Sequence, residues 1–70
     1  MEEHIEKGVK IIFSFKTEYF YLCDDGTVID KYKNIETANK ALETFTLCIA
    51  HGDMPEEAYS YIRNKFKEEN

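Results

Sequence analysis

Apolar positions along the chain change their period once, and the change divides it into two parts. Val9–Phe15 alternates, with Val9, Ile11, Phe13 and Phe15 on one side of an extended chain and Lys10, Ile12 and Ser14 on the other. Tyr19–Cys23 keeps the period of two, with Phe20 and Leu22 on one face and Tyr19, Tyr21 and Cys23 on the opposite one. A tight turn at Lys16–Thr17 or at Thr17–Glu18 joins these runs. Either turn sets Ile11 and Phe13 beside Phe20 and Leu22, and a one-residue slip would mix the faces. Asp25-Gly26 accepts the positive φ angles of a tight hairpin turn and leads into a third strand, Val28–Tyr32. Pairing Cys23 with Val28 assigns Ile29 to the Leu22 face, and Val28 and Tyr32 to the face of Tyr19 and Tyr21.

Beyond Asn34, a natural N-cap, the apolar period becomes helical. Ile35, Ala38, Leu42, Phe45 and Ile49 form a stripe flanked by Ala41 and Cys48, which predicts a helix from Ile35 to about His51. Gly52 ends it. Asp53 and Glu56 have capping-box spacing around Pro55, so a second helix is expected to start at Asp53 and to bury Met54, Ala58, Ile62 and Phe66, with Tyr61 beside them. Strands followed by helices predict an α+β domain: a three-stranded antiparallel β-meander, then an αα-hairpin packed on one sheet face, in the order β-β-β-α-α. Met1–Lys7 reads as a short helix or a frayed end.

A chain of 70 residues makes one domain, 1–70, and buries only about 60% of its unfolded surface. With 43% hydrophobic residues, five Phe and five Tyr, it has the material for a packed core and is not a disordered segment. Two cysteines, Cys23 and Cys48, make no disulfide framework. No apolar leader follows the N-terminus and no run is long enough to span a membrane, so a cytoplasmic setting with reduced thiols is expected. The formal net charge is −5, and residues 34–61 hold five acids (Glu36, Glu43, Asp53, Glu56, Glu57) against Lys40 alone. That balance disfavours nucleic acid as a partner, since the attraction that dominates phosphate binding is missing.

Candidate chemistry is sparse. Cys48 and His51 share a helical face, but structural zinc takes four ligands, commonly in clusters absent here, so neither a metal nor a cofactor is expected. The same pair lacks the third group and the oxyanion donors of a nucleophilic site. Around Gly26 the acids fail as a calcium loop, because Tyr21 and Cys23 occupy the earlier ligand positions. No catalytic residue is assigned, and a non-enzyme is expected.

The sheet face away from the helices is the unusual feature. It is expected to carry Ile12, Tyr19, Tyr21, Val28 and Tyr32, with Cys23 among them, which is apolar for an idle solvent face and rich in the residue that interfaces favour. These five residues are the candidate partner-binding set, for a protein partner or for self-association as a dimer. Two arrangements would instead cover them: the N-terminal segment folded across the face, or one helix on each side. The resulting expectation is a small, acidic, non-catalytic interaction or regulatory protein, of the general appearance of phage- or mobile-element inhibitors that block a host factor. An oligomeric binder of an aromatic or nucleotide-like small ligand is one alternative. An acidic nucleic-acid mimic using residues 36–57 is another.

Overall fold

A computed structural model describes residues 8–67. Strands β1 (Val9–Ser14), β2 (Tyr19–Asp24) and β3 (Thr27–Tyr32) precede helices α1 (Ile35–Ala50) and α2 (Pro55–Lys65). The sheet is antiparallel in the order β1-β2-β3. α1 packs across all three strands, while α2 leans on α1 and β3. This is the expected α+β meander with its helical hairpin. The reading of Met1–Lys7 lies outside the described residues.

β1 and β2 pair as the alternation requires, Ile11 opposite Leu22 and Phe13 opposite Phe20. The ladder closes at Ser14 and Tyr19, so the connection is a wider loop than a two-residue turn. Glu18 takes a positive φ of 65° there and donates its N–H to the Ser14 carbonyl at 2.7 Å. At the other end Asp24 pairs with Thr27 across Asp25 and Gly26, whose φ values of 50° and 88° make the primed turn that a two-residue hairpin needs.

β3 departs from regular pairing. Cys23 faces Val28 as expected, but Leu22 faces Asp30 rather than Ile29, so Ile29 is an extra residue, a β-bulge. The bulge reverses the parity of everything after it. Tyr32 therefore lies opposite Phe20, beneath the helices, where it is 0% exposed and meets Phe66 edge-on at 6.2 Å. The assignment of Tyr32 to the outer face is thus corrected. Arg63 of α2 supports the bulge, its Nε donating to the Ile29 carbonyl at 2.7 Å.

The core comprises Leu22, Ile29, Tyr32, Ala38, Ala41, Phe45, Ala58, Ile62 and Phe66, with Val9, Ile11, Phe20, Leu42, Cys48 and Tyr59 around it. The buried stripe of α1 is rotated from the expected one: Thr37, Ala38, Ala41 and Phe45 face inward, leaving Ile35 and Ile49 exposed. Alanines at the contact let the helix approach the sheet closely, which a stripe centred on Leu42 would prevent. On α2, Ala58, Ile62 and Phe66 are buried as expected, whereas Met54 and Tyr61 are exposed.

The caps explain the helix limits. Asn34 Oδ1 accepts the Thr37 N–H at 2.9 Å. At the far end, Gly52 (φ 97°) donates to the Ile49 carbonyl and Asp53 N–H to that of Cys48, both at 3.0 Å, a Schellman closure. The backbone N–H of Asp53 thus ends α1. Met54 is the N-cap position of α2, and its N–H donates to Glu57 at 3.3 Å, so the expected Asp53/Glu56 box is shifted by one residue. Accordingly, Asn34→Ala is expected to lower stability by about 1 kcal/mol and Asp53→Ala by clearly less, measured by urea unfolding.

Tyr32 yields a second prediction. Its hydroxyl is buried with no hydrogen-bond partner among the described residues. Burial, reinforced by Asp30 and partly opposed by Arg63, pushes its ionisation well above the ordinary tyrosine value. A raised folded pKa means that the unfolded chain ionises first, so stability falls as pH climbs past about 10. Tyr32→Phe should therefore stabilise the fold by about 1 kcal/mol at pH 7 and flatten the alkaline loss, both read from denaturation midpoints against pH.

Candidate partner-binding face

The sheet surface opposite the helices is built from three cross-strand rows. Lys10, Cys23 and Val28 form the first, and Ile12, Tyr21 and Lys31 the second. Ser14 and Tyr19 form the third, and Lys33 joins Tyr19, Thr17 and Glu18 around a shallow hollow. Ile12 and Val28 are 47% and 49% exposed, while Tyr19 and Tyr21 are half-buried. Four of the five expected residues, Ile12, Tyr19, Tyr21 and Val28, therefore share one face. Tyr32 does not.

Lys31 takes the outer position opposite Tyr21, which regular pairing would have given Asp30. Its ammonium lies 4.7 Å from the centre of the Tyr19 ring, a cation–π contact. Tyr19 and Tyr21 meet edge-on at 6.4 Å, and the Tyr21 hydroxyl donates to Thr17 Oγ1 at 3.1 Å. The rings are thus braced by neighbours on both sides. The place of Lys31 beside the tyrosines depends on the bulge. One signal pointed to it: without a bulge, Lys31 would sit opposite Phe20 beneath α1.

Set against known proteins, the chain matches no family model, no curated protein and no solved structure. The geometry of this face and of the rest of the chain therefore carries the functional argument.

Cys23, at the first row, is buried, and burial pushes its thiol up while the Lys10 ammonium pulls the other way. Both cysteines are free. Cys48 and His51 do line one surface hollow, together with Asp53 and Tyr61. Burial raises the Cys48 thiol, and the Asp53 carboxylate raises it further by its charge and by a hydrogen bond. That arrangement keeps the sulfur protonated, the opposite of what a nucleophile or metal ligand requires. No group of three or more His, Cys, Asp or Glu among the described residues could hold a metal ion. No helix among them is long and apolar enough to cross a membrane.

The Cys48 environment can be checked directly. Iodoacetamide at pH 8 should alkylate both thiols more slowly than a free peptide cysteine. Asp53→Asn should accelerate Cys48 several-fold and leave Cys23 unchanged, followed by mass spectrometry of the peptides.

Proposed function

We propose that this chain is a non-catalytic binding protein whose outer sheet face captures an acidic surface of another protein. One arrangement carries the reading: Tyr19 and Tyr21 on the central strand, flanked by exposed Ile12 and Val28, with Lys31 seated on the Tyr19 ring. Tyrosine supplies contact area at low entropic cost, and lysines beside it select negative charge. The acids of residues 34–61 belong to the helical layer and its linker, behind the sheet. A layer's thickness is comparable with the Debye length of about 8 Å at physiological salt, so the local basic character of the face survives the net negative charge.

The lysines also bear on which partner fits. Two copies meeting face to face would oppose Lys10, Lys31 and Lys33 with their own like charges, which disfavours self-association through this surface. A nucleic acid would find few phosphate contacts and would leave Ile12 and Val28 unused. An acidic protein surface bearing apolar or aromatic side chains uses both parts of the face.

A random copolymer of glutamate and tyrosine is a suitable probe, followed by amide resonances of the labelled protein. Shifts should concentrate at Ile12, Tyr19, Tyr21, Val28 and Lys31, and weaken with salt. Lys31→Glu should reduce affinity about tenfold without changing the melting temperature. Shifts confined to the helices, or larger effects with oligothymidylate than with the copolymer, would contradict the reading.

A further inference from the structure

The two edges of the sheet are treated differently. On β3 the outward groups are engaged by the chain's own side chains: Asp30 Oδ1 accepts the Lys31 N–H at 2.8 Å, and Arg63 Nε donates to the Ile29 carbonyl at 2.7 Å. With the bulge, these contacts close that edge to further strands. Among the described residues, β1 has none of these devices. It is six residues long, regular, free of proline, and followed by Phe15, which is 87% exposed.

Which β1 groups point outward follows from the ladder. Asp25 N–H donates to the Gly8 carbonyl, so Gly8 and Asp25 are a hydrogen-bonded pair, and by alternation so are the Lys10, Ile12 and Ser14 pairs. The N–H and C=O groups of Val9, Ile11 and Phe13 therefore face away from β2. None of the hydrogen bonds among the described residues reaches them.

We propose that β1 pairs antiparallel with β1 of a second copy, about a two-fold axis at Ile11, joining two sheets into one of six strands. An axis perpendicular to the sheet keeps the helices of both copies on one side, so paired residues must have matching faces. The Ile11 register meets this condition and is the one that pairs all three outward residues within the strand: Val9 with Phe13, Ile11 with Ile11, and Phe13 with Val9. Each backbone donor then meets an acceptor.

The side chains fit the same register. On the helix side of Val9 lies an apolar hollow of about 500 Å³, lined in part by Gly8, Val9, Phe45, Thr46 and Ile49. Phe13, 38% exposed and stacked edge-on with Phe15 at 5.0 Å, belongs to the same sheet face as Val9. Pairing brings Phe13 of one copy beside Val9 of the other, at the mouth of that hollow, and symmetry repeats the contact. The antiparallel arrangement brings Lys16 of the first-hairpin loop, which also carries Glu18, to the end of the second copy that carries Asp24 and Asp25. Both tyrosine-bearing faces would lie on one side of the joined sheet, although the dimer does not depend on their function.

Six edge residues and two rings make a small interface, of the class associated with weak association, so a dissociation constant on the order of 10–100 µM is expected. Sedimentation equilibrium from 5 µM to 1 mM should show a monomer–dimer transition. Phe13→Lys should weaken it at least tenfold, and Tyr21→Lys should leave it intact. In the wild type, the amides of Val9, Ile11 and Phe13 should exchange slowly at 1 mM and rapidly at 5 µM, a measurement that requires no variant to fold. A monomer throughout the range would overturn the proposal. So would a dimer broken by Tyr21→Lys but not by Phe13→Lys, or one in which these three amides stay unprotected.

Discussion

The bulge at Ile29 is the constraint on which the arrangement depends, because it reverses the parity of β3 halfway along the strand. Before it, Val28 faces outward beside Cys23. After it, Tyr32 enters the core opposite Phe20, and Lys31 emerges opposite Tyr21. Regular pairing would place a lysine under α1 and a tyrosine in solvent. Burying an unpaired ammonium costs far more than opening one step of the ladder, so the irregular strand is the stable one. Arg63 makes the irregularity cheaper still by taking the carbonyl that the bulge turns outward.

From this follows the shape of the core. Tyr32 is a large residue in a small domain, and Ala38, Ala41 and Ala58 are small residues of the same buried cluster that leave room for two helices. The pairing of one large ring with several alanines explains why α1 is rotated away from Leu42. Tyr59 ties α2 to the hairpin turn, its hydroxyl donating to Asp24 Oδ2 at 2.9 Å, while Asp25 closes the turn against Gly8. Acids at one turn thus hold three elements together, and the same acids mark that end of the sheet electrostatically.

Element order, the matching of faces at the first hairpin, the Asp25-Gly26 turn and the cap at Asn34 were all legible, because each rests on local chemistry with few alternatives. Rotation of the α1 stripe was not, since Leu42 and Ala41 are adjacent and only tertiary packing chooses between them. The start of α2 lies one residue beyond the expected Asp53, at the Met54 cap, and the Asp53 carboxylate is hydrogen-bonded with the Cys48 thiol instead of capping the helix. Of the candidate face, Ile12, Tyr19, Tyr21 and Val28 followed from alternation alone. Tyr32 failed because alternation assumes an unbroken ladder, and Lys31 two residues beyond buried Ile29 was the sign that it breaks.

Segregated charge is the consequence with most bearing on function. A chain with net −5 presents lysines and tyrosines on one side of its sheet and its run of acids on the other layer. This division exists only if the bulge places Tyr32 inside and Lys31 outside. Nuclear Overhauser contacts of the Tyr32 ring test that most directly. Cross-peaks are expected from Tyr32 to Phe66, and from the Lys31 side chain to the Tyr19 ring. Cross-peaks from the Tyr32 ring to Tyr19 or Tyr21, with Lys31 silent toward both, would contradict it.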